Sequence, residues 1–339
     1  MEDAPLVSFC LMSCRQRDLI REAFQAAMDQ DYEPLEILVS DDNSQDGTWE
    51  IIQQMAGEYK GPHKIILNRN EPNLGTIRNW QKLCSMASGE ILIKADGDDV
   101  SYPFRARCIA EDWMSSGRKA MVMASSYDEM DINGNTIGEK LLPGGWDERS
   151  THDIIEGEQY FYLGATFACH RSLYDDFQPV RFEKASDCGT FEARGLLSRM
   201  CVEGSHDKEI FHPFRTISRK LVKYRIGSGD TTGGAYRTFM TKGIRRSLEV
   251  RKQALTDLED ARSYLPKSYY DELKTLYSAS RERLENVVRL WSGKTFGERW
   301  EGYRGTTHPG HFWSKGRLIE KILLLPTGLG DFLFALLRH

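Results

Sequence analysis

The chain has 339 residues, of which 40% are hydrophobic and 28% charged, and its formal net charge at pH 7 is −5. These proportions indicate a globular protein of one large domain with an annex, or of two domains, and exclude a disordered chain, a collagen-like fibre and a small disulfide scaffold. The seven cysteines include no C-x-x-C pair, and the sequence shows no secretory signal, so we expect reduced thiols in a cytoplasmic protein. Because no run of 18 apolar residues occurs, no membrane-spanning helix is predicted.

Short apolar runs alternate with helical patterns over residues 6–124, which predicts βα units and a mainly parallel sheet. Strands are predicted at Leu6–Met12, Leu35–Val39, Lys64–Leu67, Ile91–Ile93 and Ala120–Ala124. Helices are predicted to begin near Asp18, Thr48, Thr76 and Pro103.

The pattern is less regular after residue 128. A hairpin turn is predicted at Asn133-Gly134, a helix near 188–203, a strand at 221–226 and mostly helix over 235–290. The last stretch, 316–339, is basic and amphipathic and is broken at Pro326-Thr327-Gly328. It is predicted to lie at a membrane surface, and a helix pair docked on the protein is the alternative.

Charge is unevenly spread along the chain. Residues 1–135 carry 23 acidic and 13 basic side chains, a balance of −10. Residues 215–255 carry 11 basic and 2 acidic ones, a balance of +9. The acidic part can hold a cation, whereas the basic part is either a solvated helix face or a surface for phosphates and anionic lipid.

Two acidic clusters follow strands of the predicted sheet. Asp96, Asp98 and Asp99 come directly after the fourth strand, and Asp41 and Asp42 follow the second. Because open α/β sheets bind ligands at the carboxyl ends of their strands, both clusters are expected at one edge. Crowded carboxylates repel one another unless a cation joins them, and oxygen ligands favour Mg²⁺ or Mn²⁺. One such cluster alone is equally compatible with an acidic helix cap, but two at one edge favour a binding site.

Several short segments also match a known family in their order along the chain. They are Phe9 to Arg15, Gln30-Asp31-Tyr32, Leu35 to Thr48, Asn73-x-Gly75 with Arg78-Asn79, Ser88 to Asp99, Gly164-Ala165-Thr166 with His170-Arg171, Ser186-Asp187 and Leu221 to Arg225. In these segments the chain resembles the family 2 glycosyltransferases of the GT-A fold. The resemblance implies an α/β GT-A catalytic domain with a mainly parallel central sheet at 1–232. A helical extension at 233–305 and the amphipathic segment at 306–339 lie beyond it.

The resemblance implies roles for particular acids. The D-x-D metal motif falls on Asp96, Asp98 and Asp99, with Asp98 near the ribose and Asp99 the better ligand for Mn²⁺ or Mg²⁺. The acid that faces the nucleobase falls on Asp41. The general base falls on Asp187, although spacing alone favours a helix N-cap at that position.

Other expected donor-binding residues carry hydroxyl or basic groups. They are Ser13, Arg15, Arg78, Lys223 and Arg225. Three positions depart from the family pattern. Ser13-Cys14-Arg15 lacks the aromatic residue of a Thr-Tyr-Asn-like turn, Ser186 replaces the glutamate before the base, and Gly227 stands where the lid usually has a histidine. Lys223, Arg225 or the backbone at 227–229 would have to compensate.

The implied activity is transfer of a sugar from a nucleotide-sugar donor, expected to be a UDP-sugar, with inversion at the anomeric carbon. The expected acceptor is a glycan or lipid-linked glycan of the bacterial surface, at the cytoplasmic face of the membrane; no nucleic-acid partner is expected. One alternative is an inactive nucleotide-sugar-binding or scaffold protein, which the altered positions favour. The other is a sugar nucleotidyltransferase, but Ser13 to Arg17 lacks the glycine-rich loop that such enzymes carry after the first strand.

Overall fold

Strands and helices alternate through the first 96 residues of the protein, as the hydrophobic pattern predicts. The computed structural model describes residues 4–156, 163–203, 211–227, 236–292 and 295–305. The strands are β1 Val7–Ser13, β2 Leu35–Asp41, β3 Lys64–Arg69, β4 Ile91–Asp96, β5 Val100–Ser101, β6 Val122–Met130, β7 Thr136–Lys140, β8 Gly145–Trp146, β9 Ala168–His170 and β10 Phe214–Arg225. The helices are α1 Ile20–Met28, α2 Thr48–Glu58, α3 Thr76–Met86, α4 Arg105–Ser115, α5 Thr151–Glu156, α6 Ser172–Asp175, α7 Asp187–Leu197, α8 Arg199–Glu203, α9 Tyr236–Ala261, α10 Lys267–Ser292 and α11 Phe296–Gly305.

These strands form one mixed sheet in the order β3-β2-β1-β4-β9-β6-β10-β5, with β7 beside β6 and β8 beside β10. The longest pairings are parallel: β1 with β2 and β4, β2 with β3, and β6 with β10. The short strand β9 joins β4 to β6 and is antiparallel to both. The predicted α/β architecture with a largely parallel centre is therefore confirmed.

Helices cover both faces of the sheet because its central strands are apolar on both sides. On one face, alternate β1 and β2 residues such as Phe9 and Ile37 pack with α1, α2 and α4. On the other face, Cys10 and Leu38 share a core with α3, α7, α9 and α10. Each large side chain buried in this way contributes about 1.5–3 kcal/mol. The C-terminal helices thus belong to the same hydrophobic core as the sheet.

Three local predictions can be compared with the structure. The Asn133-Gly134 turn connects β6 to β7, and Gly134 has the positive φ of 88° that such a turn requires. The predicted helix at 188–203 is divided into α7 and α8, because Ser198 between them has extended backbone angles. The predicted strand at 221–226 is the second half of the longer β10, in whose first half buried residues are interrupted by the exposed Ser218 and Arg219.

The structure does not test the predicted contact with a membrane surface. No helix among the described residues is long and apolar enough to cross a bilayer. The amphipathic segment at 316–339 lies outside the described residues, so its proposed place at a membrane surface stays a prediction.

Helix α7 carries a buried carboxyl group, which lowers the stability of the fold at neutral pH. Glu192 is 7% exposed, and its Oε1 has no hydrogen-bond partner within the part of the chain that the structure describes. Burial raises the pKa of Glu192 to about 7, and Arg149 and Arg251 only partly offset this effect. A raised folded-state pKa means that the stability linked to this group is complete below about pH 4.5 and is lost as the pH rises through about 7.

Replacing Glu192 by glutamine should therefore stabilise the protein in a pH-dependent way. At pH 8 we expect the free energy of unfolding of Glu192→Gln to exceed that of the wild type by about 2 kcal/mol, with little difference near pH 4.5. Urea unfolding at the two pH values measures this difference. The exposed α2 residue Glu50 provides the control substitution Glu50→Gln. A gain that is equal at both pH values would contradict the assignment.

Candidate active site

Ligand-binding side chains meet at the carboxyl ends of β1, β2 and β4. In the strand register Ser13 lies opposite Asp41, and Met12 lies opposite Asp96. Two hydrogen bonds extend the pairing beyond the strands, from Asp42 N to Ser13 O and from Gly97 N to Met12 O, each 2.8 Å. The expectation that both acidic clusters share one edge of the sheet is confirmed.

The Asp41 carboxylate lies inside this edge and is fully buried. It accepts hydrogen bonds from Ser44 N at 2.9 Å, Ser44 Oγ at 2.5 Å and Ser13 Oγ at 3.3 Å. Ser44 Oγ in turn accepts one from Arg15 N at 2.7 Å, which holds Arg15 at a φ of 54°. In this structure Asp41 therefore organises the loop that contains Ser13 and Arg15. Its contact with a nucleobase stays a prediction.

The neighbouring Asp42 was not predicted as a site residue, yet it holds the next loop in place. Its carboxylate accepts hydrogen bonds from Leu74 N and Gly75 N, both at 2.8 Å, and from Asn70 Nδ2 at 2.9 Å. Gly75 has a φ of 81°, and its loop leads directly into α3. The sequence shows both the acid pair Asp41-Asp42 and the N-x-G loop at 73–75. Only the fold shows that the loop donates its hydrogen bonds to Asp42.

Arg78 on α3 was predicted to contact the base or the phosphates of the donor. Its side chain is 46% exposed and lies 2.5 Å from Glu183, a residue that the sequence did not single out. Exposed pairs of this kind contribute little to stability, so the arginine is available for exchange with another anion. Lys223, another predicted donor contact, lies on β10 beside β5, with its Nζ 5.5 Å from the centre of the Tyr102 ring. Direct contact of either residue with a donor stays a prediction.

A buried lysine neutralises the first acid of the D-x-D motif. The Lys94 side chain is 3% exposed, and its Nζ lies 2.7 and 2.6 Å from the two carboxylate oxygens of Asp96. Asp96 itself stays 27% exposed. Gly97 follows in a tight turn, where an added Cβ would lie 3.1 Å from Met12 O and 2.4 Å from the Gln16 side chain. The turn thus fits only if this residue is glycine or its neighbours move.

Asp99 is the buried acid at the end of this turn. It is 7% exposed, and one carboxylate oxygen accepts a hydrogen bond from Arg225 N at 2.8 Å. Burial raises the pKa of Asp99 well above its ordinary value, and repulsion from Asp98 and Asp96 raises it further. Because the ionised form is disfavoured, a cation at this position would be strongly stabilising.

The Arg225 guanidinium lies in the interior, where its side chain is 2% exposed. It donates hydrogen bonds to Glu22 at 2.6 Å and to the backbone oxygens of Asp98, Asp131 and Ile132 at 2.9, 3.2 and 3.0 Å. Arg225 therefore connects the acidic turn to α1, β10 and the β6–β7 hairpin. Its predicted contact with the donor stays untested.

Asp187 is the first residue of α7, and the preceding Ser186 is the N-cap, with its hydroxyl accepting from Gly189 N at 3.4 Å. The surroundings of Gly164 show where this end of the helix lies. A Cβ added there would lie 3.4 Å from Lys94 Nζ, 3.5 Å from Cys188 Sγ and 4.0 Å from Asp96 Oδ2. The N-terminus of α7 is thus beside the Lys94–Asp96 pair. The role of Asp187 as general base stays a prediction.

The predicted metal ligands, Asp98 and Asp99, fit a divalent ion only as part of its donor set. Among the described residues, no group of three or more His, Cys, Asp or Glu side chains is arranged to hold a metal ion. Mg²⁺ and similar ions commonly bind one or two carboxylates and complete their coordination with water and substrate phosphates. The acidic turn fits that second arrangement and not a site made by protein alone.

Loss of the Arg225 contacts should destabilise the fold. A lysine has one ammonium group and cannot reach Glu22 and three backbone oxygens at once. We therefore expect Arg225→Lys to lower the free energy of unfolding by about 2–4 kcal/mol in urea titrations. Arg21→Lys, at an exposed position of α1, is the control. Unchanged stability together with weaker UDP binding would show that Arg225 acts on the donor instead.

Comparison with known proteins agrees with this geometry. The model of the family described as "Glycosyl transferase family 2" matches residues 8–176. The putative glycosyltransferase EpsE of Bacillus subtilis is 31% identical over 105 residues, which are 31% of this chain and 37% of EpsE. The abequosyltransferase RfbV of Salmonella typhimurium is 34% identical over 97 residues, or 28% of each chain. The matched part of this chain therefore spans little more than a third of EpsE and less than a third of RfbV.

Solved structures share the fold over nearly the whole chain. Residues 1–349 of S. aureus TarS, in complex with UDP-GlcNAc, superimpose with a TM-score of 0.58 at 15% identity, over 95% of this chain and 82% of that one. A mannosyltransferase from Pyrobaculum calidifontis, in complex with GDP-Man and Mn²⁺, gives 0.52 at 14% identity, over 98% and 84%. These similarities confirm the predicted GT-A fold. The chain belongs to glycosyl transferase family 2, and residues 8–176 match the family.

Proposed function

We propose that this glycosyltransferase is an inverting, metal-dependent enzyme that moves a sugar from a UDP-sugar to a hydroxyl group of a glycan or lipid-linked glycan. The observation that carries the proposal is the meeting of Asp41 and the Asp96–Asp99 turn at one edge of the sheet, within the matched family region. The TarS structures with UDP-GlcNAc and UDP favour a uridine nucleotide.

The acceptor class is inferred from a curated relative. The GalNAc(5)-diNAcBac-PP-undecaprenol β-1,3-glucosyltransferase of Campylobacter jejuni is 33% identical over 95 residues, which are 28% of this chain and 30% of that protein. Its name describes a lipid-linked glycan as acceptor. A similar acceptor here would also suit exposed basic side chains within residues 215–255, such as Arg245 and Arg246, since a polyprenyl diphosphate is anionic.

The acidic turn is proposed to hold the donor. In this proposal Asp96 and Asp98 bind the ribose and diphosphate part of the donor, and the two hydrogen bonds from Lys94 Nζ hold the Asp96 carboxylate in its orientation. A divalent ion bound at Asp98 and Asp99 would supply positive charge for the departing diphosphate. The raised pKa of Asp99 supports this assignment, since such a carboxyl group gains most from a nearby cation.

Asp187 is proposed to activate the acceptor. The start of α7 lies beside Asp96, so a base there would face a sugar held by the acidic turn. It would take the proton of the acceptor hydroxyl as that oxygen attacks the anomeric carbon opposite the leaving diphosphate. One displacement of this kind inverts the configuration at that carbon.

A donor panel tests the activity and the metal site together. With Mn²⁺, we expect UDP release from at least one of a set of UDP-sugars, and loss of release when EDTA is added. Asp98→Asn should lower kcat/KM by about 100-fold or more, because the ion would lose a ligand that matters most as charge develops. Asp271→Asn, at an exposed position of α10, is the matched control.

Two outcomes would contradict this part of the proposal. Full activity in Asp98→Asn would exclude the metal assignment. Absence of release from UDP-, GDP- and dTDP-sugars alike, while UDP still binds, would indicate an inactive binding protein.

Loss of the base should affect transfer but not donor binding. We expect Asp187→Asn to lower kcat by about 100-fold or more, the usual contribution of general-base catalysis. UDP affinity in the presence of Mn²⁺, measured by calorimetry, should stay within twofold of the wild type. Asp176→Asn, at an exposed position before α7, is the control. Proton NMR of the wild-type product should show the inverted anomer, and retention would refute the single displacement.

A further inference from the structure

The helix that begins with Asp187 is fastened to the C-terminal helices by a buried arginine. Arg194 on α7 is completely buried, and its Nε donates to Asp257 Oδ2 on α9 at 2.9 Å. Its other nitrogens donate to the backbone oxygens of Leu173 at 3.1 Å and Gln178 at 2.6 Å. The guanidinium also lies over the Phe177 ring, 5.0 Å from its centre. One side chain thus joins α9 to the segment between β9 and α7.

A second α9 residue extends this arrangement. Gln253 is 1% exposed, donates from Nε2 to Asp257 Oδ1 at 2.8 Å and accepts from Arg181 N at 2.8 Å. Its amide therefore connects the ion pair to a third point on the same segment. Because Gln253 and Asp257 are one helical turn apart, a rigid α9 presents both groups together.

The three backbone groups that bind Arg194 and Gln253 all precede Asp187 in the sequence by fewer than 15 residues. Leu173, Gln178 and Arg181 belong to the stretch that leads from α6 into α7. The far end of α7 is held from the same side, because Tyr264 Oη donates to Leu197 O at 2.8 Å and Tyr269 Oη donates to Leu196 O at 3.1 Å. The C-terminal helices therefore determine where α7, and with it the proposed base, is placed.

We infer that Arg194, Gln253 and Asp257 are positioning residues for catalysis, through which the C-terminal helical extension fixes Asp187 against the acidic turn. The inference rests on the proposed function, because it assigns the network an effect on the base. Displacement of a catalytic group by a fraction of an ångström lowers the rate of transfer without changing the donor site. A network that only supported folding would have no such selective effect.

Gln253→Met is the variant of choice, since it removes both hydrogen bonds but leaves no buried charge without a partner. We expect kcat for nucleotide release from the UDP-sugar panel, with water as acceptor, to fall about tenfold. KM for the sugar nucleotide and the affinity for UDP with Mn²⁺ should stay within twofold. The exposed α2 residue Gln54 provides the control Gln54→Met.

Coupling to Asp187 separates positioning from general packing. In the Asp187→Asn background, where no base is left to position, Gln253→Met should cost less than twofold. An equal tenfold loss in both backgrounds would show that the network acts elsewhere and would overturn the inference. A wild-type rate for Gln253→Met alone would overturn it as well.

An isosteric exchange keeps the inference testable even if Gln253→Met folds poorly. The double variant Gln253→Glu with Asp257→Asn swaps the amide and the carboxylate within one helical turn and preserves the total charge. It offers the same number of donors and acceptors, so kcat should return to within about threefold of the wild type. A folded double variant with a tenfold lower kcat would count against the network.

The outcomes also distinguish this inference from the proposed function. Full activity of Asp187→Asn contradicts the assignment of the base, and the inference falls with it. A slow Asp187→Asn combined with a wild-type rate for Gln253→Met contradicts the network alone.

Discussion

The parallel hydrogen bonding of β1 to β2 on one side and to β4 on the other is the constraint from which the site follows. This register places Asp41 and Asp96 on either side of the end of β1. The strands are buried on both faces, so a slip of one residue would put the wrong side chains into both cores. The same apolar packing that stabilises the sheet therefore also determines which acids meet.

The acids gathered at this edge are neutralised in different ways. Asp41 accepts hydrogen bonds from a backbone amide and two hydroxyls and lies 3.8 Å from the Arg69 guanidinium. Asp42 accepts hydrogen bonds from backbone amides and the Asn70 side chain, and Asp96 accepts them from the Lys94 ammonium group. Asp99 receives one backbone hydrogen bond, which does not offset its burial and the repulsion from Asp96 and Asp98. The requirement for added positive charge is therefore concentrated at the end of the turn, where we propose that the ion and the diphosphate bind.

Sequence reasoning predicted the elements that depend on local patterns. The strands around Leu6–Met12 and Leu35–Val39 agree with β1 and β2 within two residues, because continuous apolar runs predict fully buried strands. The first half of β10 was missed since its buried residues alternate with Arg215, Ser218 and Arg219, a pattern that also suits a loop. The convergence of the two acidic clusters was predicted because sheet topology alone determines it.

The contacts inside the site could not be predicted in the same way. Arg225 binds Asp99 and Glu22 at sequence separations of 126 and 203 residues, and no local pattern identifies such partners. Basic residues near a diphosphate site are natural candidates for phosphate contacts, and only the three-dimensional structure shows that this one is buried. Asp42, Lys94 and Glu183 were given no individual role because each contacts a neighbouring side chain or loop of the protein, which the sequence pattern does not reveal.

The two halves of the proposed chemistry depend on different parts of the chain. The donor edge is built by β1, β2 and β4, all within the matched family region. The helix carrying the proposed base lies beyond that region. It is held by α9 through Arg194, by the α9–α10 connection through Tyr264 and by α10 through Tyr269. The polar contacts that hold the two halves are different, although both halves share one hydrophobic core. If the proposed roles hold, we expect changes in the polar contacts of α9 to alter transfer more than donor binding.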